Sequence, residues 1–83
     1  MNEEYKGKIR GAVKAYLYLK NGELVNQREL LEWVNTHNFG LQNGVSKMEF
    51  SRIMDNIRGN KTGISRDIVS VRDENGWNYG VRI

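Results

Sequence analysis

The chain of 83 residues has no cysteine and no proline, and its only histidine is His37. Without cysteine no disulfide can form, which favours a reducing compartment. Familiar structural zinc sites are excluded for the same reason. No apolar run is long enough to span a membrane, and the charged first residues are not typical of a signal peptide. The composition predicts a single cytoplasmic domain over residues 1–83, with no cofactor, no metal ion and no membrane partner.

Motifs that carry chemistry are also scarce. No glycine-rich segment ends in the Lys-Ser/Thr pair that holds nucleotide phosphates, and no serine has a plausible histidine partner with an orienting carboxylate. A magnesium site would have to use Asp67, Asp73 and Glu74, the only local group of carboxylates. A turn accounts for Asp73 and Glu74, and a strand start accounts for Asp67. The sequence therefore predicts that the protein is not an enzyme.

The clearest signal is a helix over Ser46–Arg58. Ser46 and Glu49 form a capping box, in which the serine hydroxyl accepts from the Glu49 amide and the Glu49 carboxylate returns to the Ser46 amide. Four apolar residues follow at positions i, i+3, i+4 and i+7, namely Phe50, Ile53, Met54 and Ile57. Burying this stripe turns a mainly polar face outward. That face consists of Met48, Ser51, Arg52, Asp55 and Asn56.

Residues Ile68–Ile83 are predicted to form a β-hairpin. Asp73 and Gly76 suit the first and last places of a type I turn, and we predict a three-residue loop with Gly76 in the left-handed region. The predicted pairs are Asp73 with Trp77, Val71 with Tyr79, and Val69 with Val81. A two-residue Asn75-Gly76 turn is the alternative, but it would mix apolar and polar residues on each face. In the preferred register the polar, basic face consists of Ser70, Arg72, Asn78, Gly80 and Arg82.

The first part of the chain also shows helical spacing. Apolar residues over Tyr5–Leu17 predict a first helix, and Asn21-Gly22 is a stop signal. Gly7 and Gly11 lie inside this helix and each costs about 1 kcal/mol relative to Ala, so we expect it to start late or to fray. A short strand is predicted at Leu24-Val25.

A second helix is predicted over Asn26–His37, with Asn26 as its N-cap. Trp33 lies on the flank of this helix. A polar loop then leads to the third helix, and Phe39 and Leu41 are expected to tuck under it. The inward residues of the second helix are Leu30, Leu31 and Val34.

The order helix, short strand, helix, helix, strand, turn, strand resembles that of the winged helix-turn-helix family of DNA-binding domains. The helices Asn26–His37 and Ser46–Arg58 and the hairpin Ile68–Ile83 carry the resemblance, which is one of architecture. It implies an α+β fold of three helices, with a short strand between the first two and a C-terminal hairpin wing. By analogy, Ser46–Arg58 is the recognition helix and Arg72–Tyr79 the wing. The connection before the third helix is longer than the roughly 3–4 residues of a tight helix-turn-helix.

The net charge of +3 comes with many cations in the second half of the chain. Arg and Asn can contact guanine and adenine edges in a major groove, so Arg52 and Asn56 are assigned to bases, and Lys47 and Ser51 to phosphate. The wing and the preceding loop would contact the backbone or the minor groove. These residues are Lys61, Arg66, Arg72, Asn75 and Arg82. We expect a protein that binds double-stranded DNA as a small transcriptional regulator or a phage- or plasmid-type accessory factor. It would be nucleoid-associated and form a homodimer.

Other partners stay open. The same fold can serve as a protein-interaction module, for instance an inhibitor that occupies a partner's nucleic-acid-binding surface, and the outward Met48 fits this interpretation. Trp77 and Tyr79 could instead bind RNA by stacking, although packing on the core is the more common role of cross-strand aromatic residues. Tyr18 falls off the core stripe of the first helix, so Tyr18 with Leu19 is a candidate dimer contact.

Overall fold

The computed structural model describes residues 3–37, 44–59 and 66–82. Its elements in chain order are α1 (Glu3–Leu19), β1 (Val25–Asn26), α2 (Gln27–His37), α3 (Lys47–Arg58), β2 (Ile68–Asp73) and β3 (Gly76–Val81). The strands form one antiparallel sheet in the order β1-β3-β2. This confirms the predicted α+β class with three helices, a short strand between the first two and a C-terminal hairpin. Phe39, Leu41 and Lys61 lie outside the described residues.

The first helix runs its full predicted length and more. It ends at Leu19, and the chain reverses through Asn21 and Gly22, whose φ angles are 53° and 91°. The expected late start is wrong, because α1 begins at Glu3 despite its two internal glycines. Packing of an amphipathic face supplies most of the stability of a helix in a protein, and here it outweighs the glycine cost. None of the described helices is long and apolar enough to cross a membrane.

Side-chain caps set the starts of α2 and α3, which confirms the predicted N-caps Asn26 and Ser46; of the predicted capping box, the described residues form only the bond to the Ser46 hydroxyl. The Asn26 Oδ1 atom accepts a hydrogen bond from the Arg28 amide at 3.0 Å. The Ser46 Oγ atom accepts from the Glu49 amide at 3.1 Å. At the other end of α3, the amide of Gly59 donates back to the last turn. These bonds satisfy backbone groups that a helix terminus leaves without intrahelical partners.

The core lies between the three helices and the inner face of the sheet. All four predicted α3 residues are buried in it, and Leu31 and Trp33 of α2 pack at its rim. Trp77 also packs at the rim, whereas Tyr79 is fully buried. The other fully buried residues include Ile9, Val13, Leu17, Leu30, Val34, Phe50 and Met54.

The hairpin register differs by one residue from the predicted one. The two turn residues are Glu74 and Asn75, so neither the three-residue loop nor the Asn75-Gly76 turn is formed. The turn is closed by the Asp73 Oδ1 atom, which accepts from the Asn75 amide at 2.8 Å, and by Gly76 at φ 103°. The observed pairs are Asp73 with Gly76, Arg72 with Trp77, Val71 with Asn78, Ser70 with Tyr79, Val69 with Gly80, and Ile68 with Val81.

This register changes which side chains share a face of the sheet. Ile68, rather than Val69 or Val71, is buried beside Tyr79, and Val71 is 42% exposed. Because successive residues of a strand alternate between faces, the predicted polar face is not formed. Ser70 and Arg72 lie on the face of Trp77 and Tyr79 instead. The opposite face carries Val69, Val71, Asn78 and Gly80.

The end of the long connection between α2 and α3 is anchored at two points. The Asn35 side chain donates to the Val45 carbonyl at 3.1 Å and accepts from the Val45 amide at 2.7 Å. The Tyr5 hydroxyl donates to the Gly44 carbonyl at 2.8 Å. A Cβ atom on Gly44, whose φ is 71°, would lie 2.9 Å from the Asn35 Oδ1 atom. The start of α3 is thereby held against α1 and α2, although the connection is long.

Candidate nucleic-acid interface

The outward face of α3 lines a shallow, open concavity of about 660 Å³. Lys47, Ser51 and Arg52, three of the predicted contact residues, lie together there with Met48, Asp55 and Arg58. Asn56 does not line it. Successive helix residues are rotated by about 100°, which puts Asn56 on the flank of α3 that also carries Glu49. The structure therefore brings three of the four predicted α3 contacts together and leaves Asn56 aside.

A second cleft, of about 420 Å³, separates the starts of α2 and α3 from the hairpin turn. Lys47 lines both cavities, and Asn75 lines the second from the hairpin side. The carbonyl of Asn75 accepts from the Asn26 Nδ2 atom at 3.1 Å, and the same nitrogen lies 3.3 Å from the Asn78 Oδ1 atom. These bonds fix the hairpin turn beside the start of α2. The remaining walls are formed by Gln27, Arg28, Leu31, Phe50, Gly76 and Trp77.

Two further predicted contacts lie at the opposite end of the hairpin. Arg66 and Arg82 line an opening of about 550 Å³ at the start of β2, and Arg58 lines it too. Arg72 lies apart from Arg66 and Arg82, because its cross-strand partner is Trp77, near the turn. The predicted residues therefore form three groups: the α3 face, the turn end of the hairpin and its base.

Several cations of these groups carry a charge that no described carboxylate offsets. The described ion pairs are Lys14 with Asp67, Lys20 with Glu29, and Arg58 with Asp55. Among the residues that the structure describes, no ion pair is formed by Lys47, Arg52, Arg66, Arg72 or Arg82. Asp55 is the one carboxylate lining the α3 concavity, and Arg58 offsets its charge at 3.1 Å. The α3 face is thus suited to an anionic partner.

Arg58 joins α3 to the rest of this surface. Its Nη1 atom donates to the Tyr79 hydroxyl at 2.6 Å and to the Gln27 Oε1 atom at 3.2 Å. Its Nη2 atom donates to the Asp55 Oδ1 atom at 3.1 Å. The guanidinium carbon lies 4.6 Å from the centre of the Trp77 ring, within the range of a cation–π contact. Sequence reasoning did not single out Arg58, because only its i, i+3 spacing from Asp55 is visible locally.

Burial raises the pKa of Tyr79 above its ordinary value of 10.0. The hydrogen bond and the positive charge of Arg58 act in the opposite direction, and the charge of Asp55 adds to the rise. The hydroxyl is therefore protonated near neutral pH. It donates to the Gln27 Oε1 atom at 2.6 Å while accepting from Arg58.

We expect the free energy of unfolding to fall as the pH rises past 10.0. A group whose folded pKa is raised stabilises the protein below its unfolded pKa, and that contribution is lost as the pH passes through the folded pKa. Two other tyrosines act in the same direction. The pKa of Tyr5 is raised mainly by burial, and the pKa of Tyr16 is raised mainly by its hydrogen bond to Glu29. Urea unfolding on either side of pH 10.0 measures the effect.

The Tyr79→Phe variant has no hydroxyl to titrate at this position, so its stability is expected to fall less steeply with pH than that of the wild type. Tyr18→Phe, which changes an exposed tyrosine, is the matched control. Equal slopes for Tyr79→Phe and the wild type would contradict the role assigned to the buried hydroxyl.

No protein-family model matches the chain, and no curated protein or solved structure is significantly similar to it. Within the described ranges, no group of three or more His, Cys, Asp or Glu side chains is placed to hold a metal ion. Asp67 and Asp73 stand at opposite ends of β2, and Asp67 is paired with Lys14.

Proposed function

We propose that this chain is a winged helix-turn-helix domain that binds double-stranded DNA through α3. The exposed α3 face carries the proposal, because Lys47 and Arg52 lie there without an acidic partner among the described residues. An α-helix fits the major groove of B-DNA, which is about 12 Å wide. The element order and the hairpin that follows α3 support the same assignment.

In the proposed complex, Arg52 reads base edges and Lys47 and Ser51 contact phosphate. Arg52 is placed for this role because it lies near the middle of the outward face, opposite the buried stripe. Asn56, on the flank, has at most a backbone contact. Binding of this kind suits a small transcriptional regulator or a phage- or plasmid-type accessory factor.

The hairpin acts as the wing through Arg72 and Asn75 rather than through the carboxylates at its tip. The tip carries the exposed carboxylates Asp73 and Glu74, which repel phosphate. Arg72 lies on the Trp77 face of the hairpin, with its guanidinium carbon 5.9 Å from the ring centre. We assign Arg72 to the DNA backbone, on the side of the hairpin where Trp77 and Asn75 line the cleft against α3. Arg66 and Arg82 would reach phosphates farther along the duplex.

Duplex binding measured at two salt concentrations tests the proposal. Contacts from Lys47, Arg66, Arg72 and Arg82 to one phosphate each predict that log affinity falls against log salt with a slope of about −3.6. Fluorescence anisotropy with a labelled duplex measures the salt slope. An unlabelled single strand added as competitor measures the preference for duplex over single-stranded DNA. Selection from a random duplex library would then identify a preferred site. Absence of binding at low salt would contradict the proposal.

One observation favours a different partner. Met48 lies on the α3 concavity and is 67% exposed, and an exposed methionine is common on protein-binding surfaces. The second candidate function is therefore a protein-interaction module that covers a partner's nucleic-acid-binding surface. RNA binding by stacking on Trp77 gains no such support, because the guanidinium of Arg58 already lies over that ring.

The proposed complex contains two copies of the chain, since a single module of this size binds weakly. Tyr18 and Leu19, at the end of α1, are 51% and 77% exposed and remain the candidate dimer contact. Neither lines the α3 concavity or the cleft beside it. Dimer formation through these residues would leave the DNA-binding surface open.

A further inference from the structure

We propose that Arg58 is a positioning residue that holds the hairpin against α3 and does not itself contact DNA. The proposal deepens the function above and its DNA-binding part rests on that function. Arg58 lies between the α3 concavity and the opening at the hairpin base, where its charge alone would suggest a phosphate contact. The hydrogen-bond partners of Arg58 indicate instead that it acts within the protein.

Most of the donors of Arg58 are already used inside the protein. A guanidinium has five N–H donors, and three of them are directed to Gln27, Tyr79 and Asp55. The side chain is only 16% exposed. Two donors remain, and a phosphate that displaced the Tyr79 hydroxyl would leave a buried polar group without that partner.

The contacts of Arg58 join three elements that are distant in sequence. Gln27 is the first residue of α2, and Tyr79 and Trp77 lie on β3, 21 and 19 positions after Arg58. The Gln27 Oε1 atom accepts from both Arg58 and Tyr79, which closes a triangle of hydrogen bonds. The planar fork of arginine allows this combination of bonds and ring stacking, and lysine cannot reproduce it.

Trp77 connects Arg58 to the wing residue Arg72. Its ring lies under Arg58 and also faces Arg72, its cross-strand partner on β2. Fixing the ring therefore fixes the side of the hairpin from which Arg72 reaches the DNA. Without Arg58, we expect the hairpin to be held less firmly against α3, so that Arg72 still reaches its phosphate but the complex is weaker.

The Arg58→Lys variant tests the positioning role without DNA. It keeps the charge but loses the fork, so we expect the indole N–H resonance of Trp77 to shift in an NMR spectrum while that of Trp33, on α2, stays in place. Backbone amides of β2 and β3 are expected to exchange with solvent faster than in the wild type. Arg66→Lys, at the hairpin base, is the matched control and should change neither signal.

A duplex titration of methionine variants separates positioning from contact. A residue that acts through others changes affinity by roughly 2- to 30-fold, and the salt slope should stay that of the wild type. Loss of a phosphate contact would instead reduce the slope by about 0.9 per contact. We expect Arg58→Met to change the affinity without changing the salt slope. We expect Arg72→Met to reduce the slope. Arg58→Met leaves no buried charge, so it also replaces Arg58→Lys in the NMR test if the lysine variant does not fold.

An unshifted Trp77 resonance with unchanged exchange in the folded variant would overturn the proposal, and so would a reduced salt slope for Arg58→Met. If the wild type binds no duplex, the proposed function fails. The NMR and exchange results still decide whether Arg58 positions the hairpin.

Discussion

The Lys47→Ala, Arg52→Ala double variant is expected to lose most of its affinity for duplex DNA while its circular dichroism spectrum stays that of the wild type. Neither side chain forms an ion pair with a described residue, and both are exposed on α3, so the fold does not depend on them. Loss of a bidentate base contact by Arg52 costs about 1–3 kcal/mol at the preferred site. Loss of the Lys47 phosphate contact reduces the salt slope by about 0.9.

Two variants serve as controls for this experiment. Lys8→Ala removes one positive charge from an exposed position on α1, and Asn56→Ala changes the flank of α3 that the concavity leaves out. Both should bind with nearly the affinity of the wild type. Wild-type affinity and slope in the Lys47→Ala, Arg52→Ala protein would exclude the α3 face as the binding surface.

Removing the Phe50 ring is expected to give the largest loss of stability. Phe50 is 1% exposed and lies in the buried stripe of α3, and Phe→Ala changes in a core cost about 3–5 kcal/mol. The free energy of unfolding of a native protein is only about 5–15 kcal/mol, so this single change removes a large part of it. Urea denaturation measures it.

Met48→Ala is the control for the stability measurement, since Met48 lies on the same helix but faces outward. Its free energy of unfolding should stay within about 0.5 kcal/mol of the wild-type value. A similar cost for both changes would mean that the stripe does not orient α3, and Lys47 and Arg52 would then lose their assigned places.

The cap at Ser46 and the stripe from Phe50 to Ile57 could be predicted because both are local signals. A serine three residues before Glu49 and apolar residues one turn apart define the start and the inner face of a helix without reference to the rest of the chain. The outward placement of Lys47 and Arg52 follows from them. The start of α2 at Asn26 was predicted on the same basis.

The hairpin register was predicted wrongly because it depends on contacts across the molecule. Grouping Val69 and Val71 with Tyr79 maximised the apolar character of one face, but the core admits Ile68 instead. A shift by one residue exchanges the two faces of a strand, and it moved Arg72 to the side of Trp77. No pattern within β2 distinguishes the two registers.

The three helices, the caps of α2 and α3 and the outward cations of α3 follow from local sequence, since each depends on residues within a few positions of one another. The sheet register and the central place of Arg58 depend instead on contacts between elements that are distant in sequence. Buried polar groups need partners, and these can come from any part of the chain. The hydrogen-bond partners of the Tyr79 hydroxyl are Gln27 and Arg58, which are 52 and 21 positions away along the chain.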